Sequence, residues 1–200
     1  MLRRRDTVLQ IDYCPSDTLS LGNLCEAWST DGTHHPHRSQ TLQEDPLTDP
    51  AHTDEYFLGL AIEQAQIGWE EGGVPIGAAL VHDGEVLAVG RNRRVQMDSA
   101  IRHGETDCIE RAGRLPASVY RKSVLYTTLS PCFMCAGTAL LYEIPRIVIG
   151  ENRSFEMSES LLREHGVQLD VVDDPACLQL MERMLAERPG LWLEDIGEEA

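Results

Sequence analysis

From residue 54 onward, short apolar strands alternate with helices, and this alternation restricts the fold more than any other feature. Apolar residues recur at helical spacing from Phe57 to Trp69, and Gly72-Gly73 ends that helix. Asp83-Gly84 has the composition of a tight hairpin turn. Strands are predicted at 74–82, 85–90, 123–128, 146–150 and 167–172, and later helices at 103–113, 132–142, 156–165 and 175–187. Because helices separate the late strands, those strands should run parallel. We therefore expect a three-layer α/β/α domain with a mixed sheet of about five strands.

Residues 1–52 differ in composition from the rest of the chain. Residues 30–50 consist mostly of Thr, Asp, His, Pro, Gln and Ser. Such a segment buries too little apolar surface to offset the entropy of ordering it. The three histidines His34, His35 and His37 could bind a metal, although a solvated low-complexity tract is the favoured interpretation. We expect a flexible, disordered extension over 1–52 and a folded domain over 53–200.

Charge and composition exclude several classes of function. The chain has 17 Lys and Arg against 33 Asp and Glu, a net charge of −16 at pH 7. This negative field argues against a broad nucleic-acid-binding surface. No apolar run approaches the ~18–20 residues of a membrane-spanning helix. Six cysteines in 200 residues are too sparse for a disulfide scaffold. A reduced compartment is therefore expected, the cytoplasm first and the nucleus as a second location.

One constellation of residues carries the chemistry. His103-Gly104-Glu105 precedes a helix, and Pro131-Cys132-Phe133-Met134-Cys135 begins another. Cysteines three positions apart in the first turn of a helix point toward one spot, and the helix dipole favours their thiolate forms. Two Cys and one His leave the fourth position of a tetrahedral zinc open, as in catalytic zinc sites. Water bound there becomes a nucleophile near neutral pH, and Glu105 is placed to move protons.

Three other interpretations were weighed for these residues. A closed structural zinc site needs a fourth ligand, and His165 and Cys177 are the spare candidates. Such a site would make the chain a zinc-stabilised interaction module rather than an enzyme. A redox-active cysteine pair would explain Cys132 and Cys135 but would leave His103 and Glu105 without a role. Chance co-occurrence is the weakest interpretation, because the strand and helix around the cysteines agree with the motif.

The pattern H-x-E followed by P-C-x-x-C is the signature of zinc nucleobase deaminases. In that chemistry the metal activates water, and the carboxylic acid protonates the ring nitrogen and then the departing ammonia. His103, Cys132 and Cys135 would be the zinc ligands, and Glu105 would be the general acid and base.

Residues 54–199 also resemble the fungal-type cytosine deaminases, which convert free cytosine to uracil and ammonia. The stretches that carry the resemblance read EGGVPIGAAL, HGE, LYTTLSPCFMC, IPRIVIGEN, VVDD and ERPGLWLEDIGE. The resemblance implies a zinc-dependent deaminase domain over 53–200 with the cytidine-deaminase-like fold. It also implies one Zn²⁺ per subunit, a homodimer and a role in pyrimidine salvage.

The same resemblance implies which residues contact the base. Asn92 and the backbone N–H of Gly104 would bind the carbonyl edge of the pyrimidine, and Asp195 and the backbone carbonyl of Ser130 would face its amino group. The remaining contacts are apolar, two aromatic walls and a floor, from Phe155, Trp192 and Ile76.

Some positions depart from the family pattern. Arg102 replaces an apolar residue before His103, and Phe133 replaces an acidic residue between the cysteines. Thr106-Asp107-Cys108 alters the turn after Glu105, and we expect Cys108 to be a buried apolar residue rather than a ligand. The departures leave other substrates open: guanine, a substituted cytosine or a tRNA adenosine.

Overall fold

The computed structural model describes residues 53–199, so the predicted extension over 1–52 lies outside the described residues. Thr53 caps the first helix by accepting a hydrogen bond from the N–H of Tyr56. The helices are α1 Asp54–Glu70, α2 Arg94–Met97, α3 Gly104–Ala112, α4 Ala117–Tyr120, α5 Phe133–Leu141, α6 Glu159–Glu164, α7 Pro175–Glu187 and α8 Pro189–Asp195. The strands are β1 Gly77–His82, β2 Glu85–Arg91, β3 Ser123–Leu129, β4 Arg146–Glu151 and β5 Gln168–Val171.

The five strands form one mixed sheet in the order β2-β1-β3-β4-β5. Strand β1 pairs antiparallel with both β2 and β3, whereas β3, β4 and β5 run parallel to one another. Both the mixed sheet and the parallel late strands are therefore confirmed. The parallel arrangement follows from the helices α5 and α6, which return the chain to the same end of the sheet before each new strand.

Each face of the sheet is covered by helices, because successive residues of β1 point to opposite sides. Ala79 and Val81 pack in an apolar cluster with residues of α1. Ala78 and Leu80 belong to a second cluster with residues of α3, α5 and α6. The predicted three-layer α/β/α architecture of the cytidine-deaminase-like type is confirmed. Within residues 53–199, no helix is both long and apolar enough to cross a membrane.

Two glycines bring helices unusually close to the sheet. A Cβ atom on Gly77 would overlap the carbonyl oxygen of Ala61 in α1, and one on Gly90 would overlap the backbone of Cys108 in α3. The absence of a side chain therefore sets the spacing of the helical layers on β1 and β2. Cys108 is fully buried, which agrees with its predicted apolar role.

The structure differs from the sequence expectation mainly in short elements. Strand β1 begins at Gly77 rather than Val74, because the Ile76 N–H bonds to the Val74 carbonyl and Ile76 accepts from Asn92. Single turns of helix, α2 and α4, interrupt segments without a predicted element. The segment after residue 187, for which the sequence predicts no helix, contains helix α8, which starts at Pro189, a favoured first residue of a helix.

Candidate metal centre and base pocket

The three predicted metal ligands lie at the beginnings of two neighbouring helices. His103 caps α3, Cys132 caps α5, and Cys135 lies in the first turn of α5, as predicted. One potential ligand atom from each residue lies within 4.8 Å of the others. Cys132 Sγ is 3.5 Å from His103 Nδ1. The backbone N–H dipoles of α5 favour negative charge at this point, which suits thiolate ligands.

The protonation chemistry of the cluster fits a metal site. Hydrogen bonding from the Cys135 thiol, opposed by burial and assisted by His103, lowers the pKa of Cys132 to about 4. The hydrogen bond to Cys132 and burial raise the pKa of Cys135 well above its usual value. Burial alone would lower the pKa of His103, but the hydrogen bond with Cys132 and the charge of Asp195 raise it. One thiolate is thus preformed, and the donor set of one nitrogen and two sulfurs is the set that zinc prefers.

The alternatives that need further protein ligands find no support in this geometry. Among the described residues, neither His165 nor Cys177 belongs to the group of metal-binding atoms. The His165 ring lies 2.9 Å from the carbonyl of Leu161, and Cys177 is buried against Gly150 on another part of the sheet. The cluster therefore has three protein donors, which leaves the open coordination position of a catalytic site.

Glu105 is buried directly beside the cluster, with 3% of its surface exposed. Its carboxylate accepts hydrogen bonds from Thr127 Oγ1 at 3.2 Å and from Cys135 Sγ at 3.3 Å. Burial, followed by the negative charge of Cys132, raises the pKa of Glu105. A carboxyl group with a raised pKa can both give and take a proton near neutral pH. The sequence analysis did not identify Thr127, since a threonine in a buried strand carries no distinctive signal.

A small cavity opens onto the cluster. The rings of Phe155 and Trp192 meet edge to face, with centroids 5.4 Å apart. The cavity is lined by Ile76, His103, Glu105, Leu129, Ser130, Cys132, Phe155, Trp192, Asp195 and Ile196. Eight of these ten residues were singled out in the sequence; Leu129 and Ile196 were missed because they look like ordinary core residues.

Asp195 reaches this cavity from α8, and its side chain is only 2% exposed. Its Oδ1 accepts hydrogen bonds from Asn92 Nδ2 at 2.8 Å and from Arg94 Nη1 at 3.2 Å. Its Oδ2 lies 3.9 Å from His103 Nε2. Asn92 is fully buried and uses its own Oδ1 to accept from the N–H of Arg94. The structure therefore adds Arg94 to the site, a residue that the sequence analysis passed over in a polar loop.

Three predicted residues, Asn92, Gly104 and Cys135, are not among those that line the cavity. Gly104 begins α3, where a Cβ atom would come within 3.0 Å of the Ile76 carbonyl oxygen. Ser130 lies in the cavity wall, and its hydroxyl donates to Glu159 Oε1 at 3.0 Å. Of the three departures from the family pattern, Arg102 forms an ion pair with Asp107 of the altered turn at 3.0 Å, whereas Phe133 is 56% exposed.

Comparisons with known proteins agree with this geometry. The family described as the cytidine and deoxycytidylate deaminase zinc-binding region matches residues 51–151. Cytosine deaminase of Candida albicans is 47% identical over 146 residues, which span 72% of this chain and 97% of that protein.

More distant similarity extends to enzymes that act on transfer RNA. The tRNA-specific adenosine deaminase 2 of Xenopus tropicalis is 35% identical over 118 residues, 55% of this chain and 69% of that protein. A structure from work on A-to-I editing by tRNA deaminases is 30% identical, with a TM-score of 0.51. It covers 59% of this chain and 98% of its own. The His and Cys donors and the matched zinc-binding region together fit one zinc ion per subunit. The chain thus belongs to the cytidine and deoxycytidylate deaminase family of zinc enzymes.

Proposed function

We propose that this chain hydrolyses free cytosine to uracil and ammonia, as the name of its Candida albicans relative indicates for that protein. The observation that carries the proposal is the 47% identity that extends over 97% of that relative. Identity of this extent reaches well beyond the zinc motif, since it leaves only a small part of that relative unmatched. A role in pyrimidine salvage follows from the reaction.

The chain's own residues account for the proton transfers. His103, Cys132 and Cys135 would hold the zinc, which when bound supplies the nucleophile by lowering the pKa of water. Glu105 faces the same cavity and has a raised pKa. It would protonate the ring nitrogen of cytosine and later carry a proton to the departing ammonia. Thr127 Oγ1 donates to one of its oxygens, and this bond would hold the carboxyl group in place beside the cavity.

The cavity walls suit an aminated pyrimidine. Phe155, Trp192 and Ile76 would supply the apolar contacts to the ring, since each lines the cavity. Asp195 would accept from the amino group, since Oδ1 is already bound and Oδ2 lies toward His103. The carbonyl of Ser130 would accept a second proton of that group. Asn92 and the N–H of Gly104 would bind the opposite, carbonyl edge.

Two observations favour a free base over a tRNA adenosine. The cavity is small and is walled on one side by Trp192 and Asp195 of α8, which leaves little room for a ribose. Residues 51–200 also carry a net charge of −12, which opposes the approach of a polyanion. Guanine and substituted cytosines stay as alternatives within the same chemistry.

We also propose a homodimer in the cytoplasm. Phe133, Gly137 and Leu141 are exposed at spacing i, i+4 and i+8 on α5. This spacing forms one stripe along the helix, and the two large side chains are 56% and 74% exposed. An apolar stripe of this kind is a common feature of subunit interfaces.

The test is a substrate panel on protein of measured zinc content. Cytosine, 5-methylcytosine, guanine and adenosine are compared by product formation and ammonia release. We expect turnover of cytosine, and its loss by more than about 1,000-fold in Glu105→Gln with zinc content unchanged. Glu164→Gln, an exposed change on α6, is the control and should behave as the wild type.

Fully zinc-loaded protein without activity on cytosine would contradict the proposal. Turnover of guanine alone would support the purine alternative. No turnover of any base, together with unchanged properties of Glu105→Gln, would favour a zinc-stabilised interaction module.

A further inference from the structure

Asp107 is a buried carboxylate that has no role in the chemistry described above. It lies on α3, and its side chain is completely inaccessible to solvent. Its Oδ1 accepts from Arg102 Nη1 at 3.0 Å, with Arg93 Nη1 at 3.9 Å. Its Oδ2 accepts from Arg111 Nε at 2.8 Å and from the backbone N–H of Arg91 at 3.3 Å. A buried charge is retained only when it is paired and hydrogen-bonded to this extent.

The partners of Asp107 occupy two notable positions in the sequence. Arg91 directly precedes Asn92, and Arg102 directly precedes His103. The segment between them is closed on itself, because the N–H of Arg93 donates to the carbonyl of Arg102 at 2.8 Å. One carboxylate thus bonds to both ends of the connection between β2 and α3.

The same residue is also joined to the metal ligand through the helix. The backbone N–H of Asp107 donates to the carbonyl oxygen of His103 at 2.9 Å, in the first turn of α3. On the other side of His103, the Ile101 carbonyl, two residues before it, accepts a hydrogen bond from the hydroxyl of Thr106. The His103 backbone is therefore held from both directions, although Asp107 does not line the cavity.

We propose that Asp107 is a positioning residue that fixes Asn92 and His103 relative to each other through Arg91 and Arg102. The part of the proposal that concerns Asn92 rests on the proposed function. The part that concerns zinc binding rests only on the geometry around His103. The partners of a metal-binding histidine commonly change metal affinity by 10- to 100-fold when removed. Here Asp107 acts on the backbone of His103 through the side chain of Arg102.

A purely stabilising role predicts different results. Buried ion pairs are often no better for stability than apolar residues of the same volume. What the hydrogen bonds to Asp107 add is geometry, since charge-assisted bonds are shorter and stronger than neutral ones and so hold the donors of Arg102, Arg111 and Arg91 in place. If only stability were at stake, substitution would lower the melting temperature and leave metal and substrate affinities alone.

The experiment compares Asp107→Asn with Arg102→Gln in the full-length chain. Asp107→Asn keeps the shape of the side chain but removes its charge, which weakens the bonds to both Arg91 and Arg102. We expect a rise of about 10-fold in both the zinc dissociation constant and the KM for cytosine. The kcat at saturating zinc should stay within about threefold, because Glu105 is untouched.

Arg102→Gln removes only the connection on the His103 side. We expect weaker zinc binding with a KM within about twofold of the wild type, since the bond from Arg91 to Asp107 persists. Asp170→Asn, which alters an arginine–carboxylate pair on β5, is the matched control and should change neither constant.

Zinc affinity is measured by competition with a chromophoric chelator, so this readout does not depend on any substrate. Unchanged zinc affinity and KM in a folded Asp107→Asn variant with a lower melting temperature would overturn the proposal. If that variant does not fold, unchanged zinc affinity in Arg102→Gln would overturn it equally. A wild-type protein that binds zinc but does not act on cytosine would refute the proposed substrate and leave the metal test valid.

Discussion

Replacing Arg94 with alanine should weaken substrate binding while leaving the chemical step almost intact. Arg94 lies at the start of α2 and is 14% exposed. Its Nη1 donates to Asp195 Oδ1 at 3.2 Å and to the Glu194 carbonyl at 3.3 Å, and its Nη2 donates to Glu194 Oε1 at 2.8 Å. Arg94 thus joins the loop that carries Asn92 to the helix that carries Asp195 and Trp192.

The size of the effect follows from the burial of the partners. Removing one member of a buried ion pair costs about 3–5 kcal/mol, because the other charge is left without a partner. Asp195 would keep its bond from Asn92, which reduces the cost. The Glu194 pair adds less than about 1 kcal/mol, since the Glu194 side chain is 61% exposed. From these contributions we expect the free energy of substrate binding to become less favourable by about 2–3 kcal/mol.

This loss falls on binding, because α8 contributes cavity walls but no metal ligand. At about 1.4 kcal/mol for each factor of ten, KM should rise about 30- to 150-fold. The kcat should stay within about threefold, because Arg94 contacts neither Glu105 nor the metal-binding cysteines.

Steady-state kinetics on zinc-loaded protein measure both constants from the ultraviolet change between cytosine and uracil. Glu194→Gln isolates the exposed pair and should change KM by less than about fivefold. Arg153→Ala removes a surface pair with Asp173 and serves as the control. A fall in kcat at unchanged KM would refute the view that Arg94 acts through α8.

The other predictions concern packing, assembly and acid stability. Gly77→Ala should destabilise the domain by about 1–3 kcal/mol through overlap with α1, a fall in melting temperature of several degrees. Gly59→Ala, which meets no atom within 4 Å, should cause no fall. Phe133→Asp should shift the mass measured by light scattering from dimer to monomer. The Arg146 guanidinium lowers the pKa of Asp54 chiefly by hydrogen bonding. This contribution is present at neutral pH, begins to be lost below about pH 4, and disappears as the pH falls through the lower pKa of Asp54 in the folded state. Asp54→Asn should therefore reduce stability at pH 7 by less than about 1 kcal/mol, and the difference from the wild type should shrink as the pH is lowered, as followed by chemical denaturation.

The fold was predictable wherever residues close in sequence determine the backbone conformation. The hairpin turn Asp83-Gly84 has positive φ at both positions, which is why this dipeptide was a strong signal. The helices that start at Asp54 and Pro175 follow side-chain caps on Thr53 and Asp174. The order of the sheet and its three layers then follow from the alternation of strands and helices, since parallel strands need helical connections.

What was missed depends on contacts between distant parts of the chain. Asn92 and Asp195 bond across 103 positions of sequence, and Thr127 reaches Glu105 across 22. Helix α8 has too few residues to be stable alone. It is held where Arg188, its N-cap, stacks 3.7 Å above the ring of Trp69 in α1 and donates to the Gly73 carbonyl. No local pattern encodes such contacts, so the resemblance implied roles for Trp192 and Asp195 while the helix that carries them was not predicted.

This division between local and distant contacts separates the chemistry from the choice of base. The zinc ligands and Glu105 come from the first turns of two helices, so a short motif is enough to specify the reaction. The aromatic walls of the cavity come from α8 and the loop before α6, and Arg94 and Arg188 hold α8 in place. Substitutions in these supporting contacts should therefore change which aminated ring is accepted, and with what KM, before they change the rate of deamination itself. For the same reason, the motif alone identifies a deaminase, whereas the choice of substrate depends on residues outside the motif.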